Sequence, residues 1–148
     1  MDAYRNGRNY LIPCLQSHEP LDLVVLMLGT NDLKQRFAME PRDIVAGAES
    51  LVRLVLQSNT GPGSTAPKVL LVSPSLVTMS VDDEFEGAIE KSKQLGELYA
   101  QAARSNGVAF LDAARIVVPS RIDGVHWEAE EHQSFGLTVA EMVKQLLL

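Results

Sequence analysis

Two polar clusters in this chain carry residue types that can move protons and stabilise charge. Gly29-Thr30-Asn31-Asp32 follows an apolar run, Leu21 to Leu28, in which only Asp22 is polar. An asparagine amide fixed at the end of such a run can donate a hydrogen bond to an oxyanion in a cleft. Towards the other end of the chain, Asp123-Gly124-Val125-His126-Trp127 places a carboxylate three residues before an imidazole, with a glycine between them. That spacing lets the carboxylate reach one ring nitrogen and fix the tautomer. The other nitrogen is then free to take a proton from a nucleophile. Asn31 reads as an oxyanion donor, and Asp123 with His126 as the supporting pair of a catalytic triad.

Each residue also has a plainer reading. Asn31 and Asp32 favour turns after strands and can form an Asx turn with no chemical role. Asp32 reads as a brace for its loop, and Thr30 as a backbone contact. His126 alone would be a surface histidine in a turn; Asp123 before it and Trp127 after it favour a site. Trp127 reads as a pocket wall or a packing residue. His132 reads as solvent-facing on a helix and His18 as a loop residue. His126, His132 and the nearby carboxylates lack a convincing ligand spacing, so no metal is expected. Ser73-Pro74-Ser75-Leu76 either lines a cleft or simply ends a strand. Met79, Val81 and Phe85 form either an apolar entrance or core.

The elements that must position these groups follow from periodicity. Leu21 to Leu28, bounded by Pro20 and Gly29, reads as a strand buried on both faces. Lys68 to Ser73, stopped by Pro74, and Val108 to Leu111 read as two further strands. Between them, Ile44, Ala48, Leu51, Val52 and Val55 recur at helical spacing after Pro41, which suits a helix's first turn. Phe85, Ile89, Leu95, Leu98, Tyr99 and Ala102 mark a long helix that Gly107 can end. Tyr10 to Ser17 predicts a short leading helix. Phe135, Val139, Met142, Val143 and Leu146 give a last helix, with Glu128, Glu130 and Glu131 at its positive start. Asn59 to Pro67 and Ser75 to Asp83 read as loops. Alternating strands and helices predict an α/β fold with a parallel sheet, helices on its faces, and ligands at the strands' carboxyl ends.

Composition narrows the function classes. The 148 residues suit one domain with a modest core. A net charge of −6 with scattered basic residues argues against a nucleic-acid partner. No apolar stretch approaches the roughly 20 residues needed to span a bilayer, so no membrane is expected. One cysteine, Cys14, offers neither an internal disulfide nor a metal pair; with Ile12, Pro13 and Leu15 around it, a packed thiol is expected. No leader segment is visible, which gives a cytoplasmic location as the expectation.

The Gly29-Thr30-Asn31-Asp32 and Asp123-Gly124-Val125-His126 blocks resemble the G-x-N-D and D-x-x-H blocks of the SGNH (GDSL-type) hydrolases. Leu21 to Asp32, with Asn9-Tyr10-Leu11 and Lys68 to Pro74, looks closest to their bacterial arylesterase and acyltransferase branch. The resemblance covers nearly all of residues 1–148, read as one SGNH-hydrolase-like domain, but only the C-terminal two-thirds of the family domain. It implies a flavodoxin-like three-layer α/β/α sandwich with strands ordered 2-1-3-4-5, of which this chain supplies the last three. It also implies an ester hydrolase or acyltransferase for short acyl esters that needs no cofactor. Asp123, His126 and Asn31 would be catalytic, Thr30, Ser75 and Trp127 would contact substrate, and Gly29 and Asp32 would give structural support. The family's nucleophile lies in a Gly-Asp-Ser block that this sequence does not contain, so the nucleophile is unknown. Without the first strands, Leu21 to Leu28 becomes an edge, which predicts a homo-oligomer or a partner that covers it. The rival readings are a non-catalytic binding or assembly protein and one half of a split esterase. A nucleotide binder is disfavoured because no glycine-rich phosphate loop follows a strand.

Overall fold

A computed structural model describes residues 6–79 and 83–148. Helix α1 (Gly7–Ser17) leads into strand β1 (Leu23–Met27); α2 (Pro41–Gln57), β2 (Lys68–Ser73), α3 (Ala88–Asn106), β3 (Ala109–Asp112) and α4 (Ala129–Leu147) follow. The three strands are parallel in the order β1-β2-β3, with Leu23 beside Lys68 and Leu70 beside Ala109. The fold class is therefore the expected one, an open parallel sheet between helical layers.

Strand residues alternate between two faces, and each face has its own core. Leu26, Val69 and Leu71 point to one side, where α1, α2 and α3 bring Leu15, Ile44, Val52, Val55, Leu95 and Tyr99. Leu70 and Val72 point to the other, where they meet Ala113, Val117 and, from α4, Phe135, Met142 and Leu146. The first core is the larger one. None of α4's own side chains is fully buried.

Local chemistry moves several boundaries. The side chain of Asn6 accepts from the Arg8 amide at 3.0 Å and starts α1 three residues before Tyr10. Pro41 opens α2, and the Glu40 amide donates to Asp43 at 3.2 Å. Phe85 belongs to a separate 3-10 turn (Asp83–Phe85), because Gly87 at φ 76° breaks the helical path before α3 begins. Gly107, at φ 65°, ends α3 as expected, and the Val108 amide bonds back to Ala103 at 3.0 Å. That bond removes Val108 from the ladder and starts β3 at Ala109.

Strand β1 departs from the expected burial on both faces. Val25 is 41 % exposed and only Leu26 in this strand is fully buried. The reason is its position at the sheet's edge, with β2 on one side and no second neighbouring strand among the described residues. The expected loop from Ser75 to Asp83 is irregular as far as Met79, and its residues 80–82, including the candidate entrance residue Val81, lie outside the described residues. Of the other entrance candidates, Phe85 is buried in the larger core and Met79 is exposed.

Candidate active site

Parallel strands deliver three loops to one rim of the sheet. From β1, the chain passes Leu28 and Gly29 into a 3-10 turn, Asn31–Leu33. Gly29 has φ 127°, and a Cβ there would lie 2.5 Å from the Tyr99 hydroxyl and 3.0 Å from Pro74. Only glycine fits this crossing. Tyr99, fully buried on α3, donates from its hydroxyl to the Leu28 carbonyl at 2.7 Å. Burial and the nearby Asp32 carboxylate both push the Tyr99 phenol well above its ordinary range. Its proton stays in place, and the bond persists at any ordinary pH.

Asn31 emerges from this turn exposed to solvent. Its side-chain amide has no protein partner among the described residues. Thr30, half-buried, accepts the Leu33 amide through its carbonyl at 3.2 Å. Asp32 donates its amide to the Gly29 carbonyl at 3.1 Å, and burial raises its carboxyl above the usual value.

The loop after β3 carries the second cluster. Asp123 Oδ2 lies 2.6 Å from His126 Nδ1, while Oδ1 accepts the amides of Val125 and His126, each at 2.9 Å. The two backbone amides and the imidazole together hold the Asp123 carboxyl down at about 2. The carboxylate orients the ring through Nδ1, and the imidazole is 82 % exposed, with no other protein partner among the described residues. Gly124 makes the turn possible. It sits at φ 70°, and a Cβ there would run into Met79, 2.5 Å from its amide nitrogen and 2.8 Å from its carbonyl oxygen.

The β2 loop joins the two clusters. Pro74 abuts Gly29, and the Thr78 amide donates to the Gly124 carbonyl at 2.9 Å. Ser75 is only 3 % exposed, and its hydroxyl accepts the Trp127 indole N–H at 2.9 Å. Trp127 leans on Phe135 and His132, with ring centroids 4.9 and 5.3 Å away, and belongs to the smaller core. Asn31 and the Asp123–His126 pair thus stand on the same rim, on either side of the Pro74–Met79 loop. Sequence reasoning missed Tyr99 as a support for this arrangement. Tyr99 looked like one more apolar position on a helix; only its contact with a residue 71 positions earlier shows its role.

Among the described residues, no group of three or more His, Cys, Asp or Glu side chains could hold a metal ion. A depression of about 240 Å³ lies elsewhere, between α3 and the end of β3, with Gly96, Phe110 and Asp112 in its lining.

The model of the GDSL-like lipase/acylhydrolase family matches residues 4–133. The chain belongs to this family. Among solved structures, Est24, a carbohydrate acetylesterase from Sinorhizobium meliloti, is 41 % identical, with a TM-score of 0.92. The match covers 98 % of this chain and 70 % of Est24. The native aryl esterase of M. smegmatis is 39 % identical at a TM-score of 0.90, over 95 % of this chain and 68 % of that one. A second carbohydrate acetylesterase family member from Sinorhizobium meliloti shares 34 % identity at a TM-score of 0.88. It covers 97 % of this chain and 70 % of its own. No match was found among curated protein sequences. Membership in the GDSL-like family places an acylhydrolase fold around the two loops, and an imidazole oriented by a carboxylate is the equipment for activating a hydroxyl.

Proposed function

We propose that residues 1–148 form one domain that carries the acid–base half of a serine esterase site acting on short acyl esters. Its substrates would be acetylated carbohydrates or aryl esters, the classes that the similar proteins' names give. The observation that carries this reading is the 2.6 Å contact between Asp123 and His126, with the rest of the ring open on the rim that also bears Asn31. In a complete site, a serine attacks the ester carbonyl and His126 accepts its proton. Asp123 stabilises the imidazolium, and the Asn31 amide donates to the oxyanion. His126 then protonates the departing alcohol, and water (hydrolysis) or a second alcohol (acyl transfer) releases the acyl group. Ser75, tied to Trp127, positions the pocket wall rather than attacking. Thr30 shapes the turn under Asn31.

The chain has no Gly-Asp-Ser block, and two serines at the rim among the described residues are engaged: Ser73 with Asp112 at 2.9 Å and Ser75 with Trp127. Alone it should hydrolyse p-nitrophenyl acetate little above background. Labelling of a serine in the purified chain by an active-site phosphonate would contradict that. If hydrolysis is seen, it must fall to background in both Asn31→Ala and His126→Ala; activity that survives either change refutes the site. A second reading is favoured by the exposed edge of β1: the chain is one half of a split esterase or an assembly protein, with a second copy or a partner covering Val25. Hydrolysis that appears only on adding a Gly-Asp-Ser-bearing segment would select the split enzyme.

A further inference from the structure

Ser120 lies three residues before Asp123 and is 6 % exposed. All its polar groups close on one loop. Its amide donates to the His126 carbonyl at 2.7 Å, and its carbonyl accepts the Gly124 amide at 2.8 Å. Its hydroxyl accepts the Ile122 amide at 3.1 Å and donates to Glu128 Oε1. Glu128 is the residue that caps α4, yet its side chain makes no bond to that helix's amides. A cap side chain ordinarily accepts from the second or third helical amide, a contact that stabilises the helix by about 1 kcal/mol. Here the carboxylate is turned back to Ser120 instead.

We propose that Ser120 and Glu128 are positioning residues that clasp the two ends of this loop and so aim the Val125 and His126 amides at Asp123. The inference rests on reading Asp123 and His126 as the acid–base pair. The physical argument is one of closure. The loop holds its carboxylate through two consecutive amides, a geometry that needs both flanks fixed. On one side Gly124 is anchored to Thr78. On the other, among the described residues, Ser120 makes the hydrogen bonds that tie the chain before Asp123 to His126 and Glu128. Removing its hydroxyl deletes the Ile122 and Glu128 bonds and leaves the backbone bonds unsupported. Neither residue touches the reacting atoms, so their effect must show in the geometry around Asp123.

Two readouts by NMR, neither needing turnover, test this on the full chain. The first is hydrogen exchange at the Val125 and His126 amides, with Leu70 to Val72 of β2 as internal reference. The second is the Asp123 carboxyl carbon shift at about pH 3, where the native carboxyl is ionised. In Ser120→Ala and Glu128→Ala, exchange at the two amides should rise about tenfold with β2 unchanged. The Asp123 carboxyl should rise toward the ordinary aspartate value of about 3.9, so that more of it is protonated at that pH. Glu128→Gln, which keeps an oxygen acceptor, should behave like the native chain. Unchanged loop exchange and an unchanged Asp123 shift in Ser120→Ala would overturn the proposal. So would a rise shared equally by β2, which would make Ser120 a general stabiliser. Failure of the esterase reading would leave these measurements unaffected.

Discussion

At Gly124, as at Gly29, conformation and space act together, which is not so at every glycine of this chain. Gly63 also has a positive φ of 64°, but nothing lies within 4 Å of where its Cβ would be. Gly63→Ala should therefore cost about 1 kcal/mol, from the left-handed backbone alone. Gly124→Ala adds a collision with the Met79 backbone and should cost about 2 kcal/mol or more. Urea midpoints of the two variants check this; equal losses would show that the Met79 contact does not constrain the loop. Asp123 supplies a pH prediction at the same scale. Its carboxyl is depressed in the folded chain to about 2, so its favourable contacts are fully present above the unfolded value of about 3.9. They are lost only as pH falls through about 2. A carboxyl titration midpoint near the unfolded value would mean that the two amides do not hold it. That Asp123 and His126 meet was legible from a three-residue spacing, because so short a loop leaves the side chains few other places to go. That Ser120 closes the same loop was not legible, since a serine among Pro119 and Arg121 carries no spacing signal.

Elements set the precision with which these loops are held. Helix α3 contributes Tyr99 not only to the core but to the turn after β1, through the Leu28 carbonyl. Tyr99→Phe keeps the ring and leaves that carbonyl without its donor, which should cost about 1 kcal/mol. It should also shift the amide resonances of Gly29 to Asp32. A loss of stability with no shift in that turn would make Tyr99 a packing residue only. Strands and helices themselves were legible wherever apolar period and a stop signal coincided, as at Lys68 to Ser73 and at Gly107. Boundaries slipped where a long-range or capping bond intervened: Asn6 lengthened α1, and the Ala103–Val108 bond shortened the start of β3. Phe85 separated from α3 because one glycine outweighed an apolar position.

The whole molecule carries an imbalance. Strand β1 is apolar throughout yet lies at the sheet's edge, with Val25 41 % and the following Leu28 48 % exposed. It has none of the lysines, prolines or bulges that keep natural edges apart. No helix among the described residues is long and apolar enough to cross a membrane. The proposal that a second copy or partner covers this edge predicts concentration-dependent association in sedimentation velocity. Val25→Lys should abolish it at a cost in monomer stability below about 1 kcal/mol. A native chain that sediments as a monomer at every concentration would refute self-association.

By itself, the order of residues determined the alternation of strands and helices, and so the parallel sheet with its loops gathered on one rim. It also determined the polar types that stand there, because periodicity and short spacings are local and survive without a fold. Only the tertiary structure decided that Tyr99 and Pro74 press on Gly29, and that Ser120 and Glu128 close the loop around Asp123. Those are contacts between chain segments brought together by packing, and the backbone geometry that selects them exists only once the core has formed.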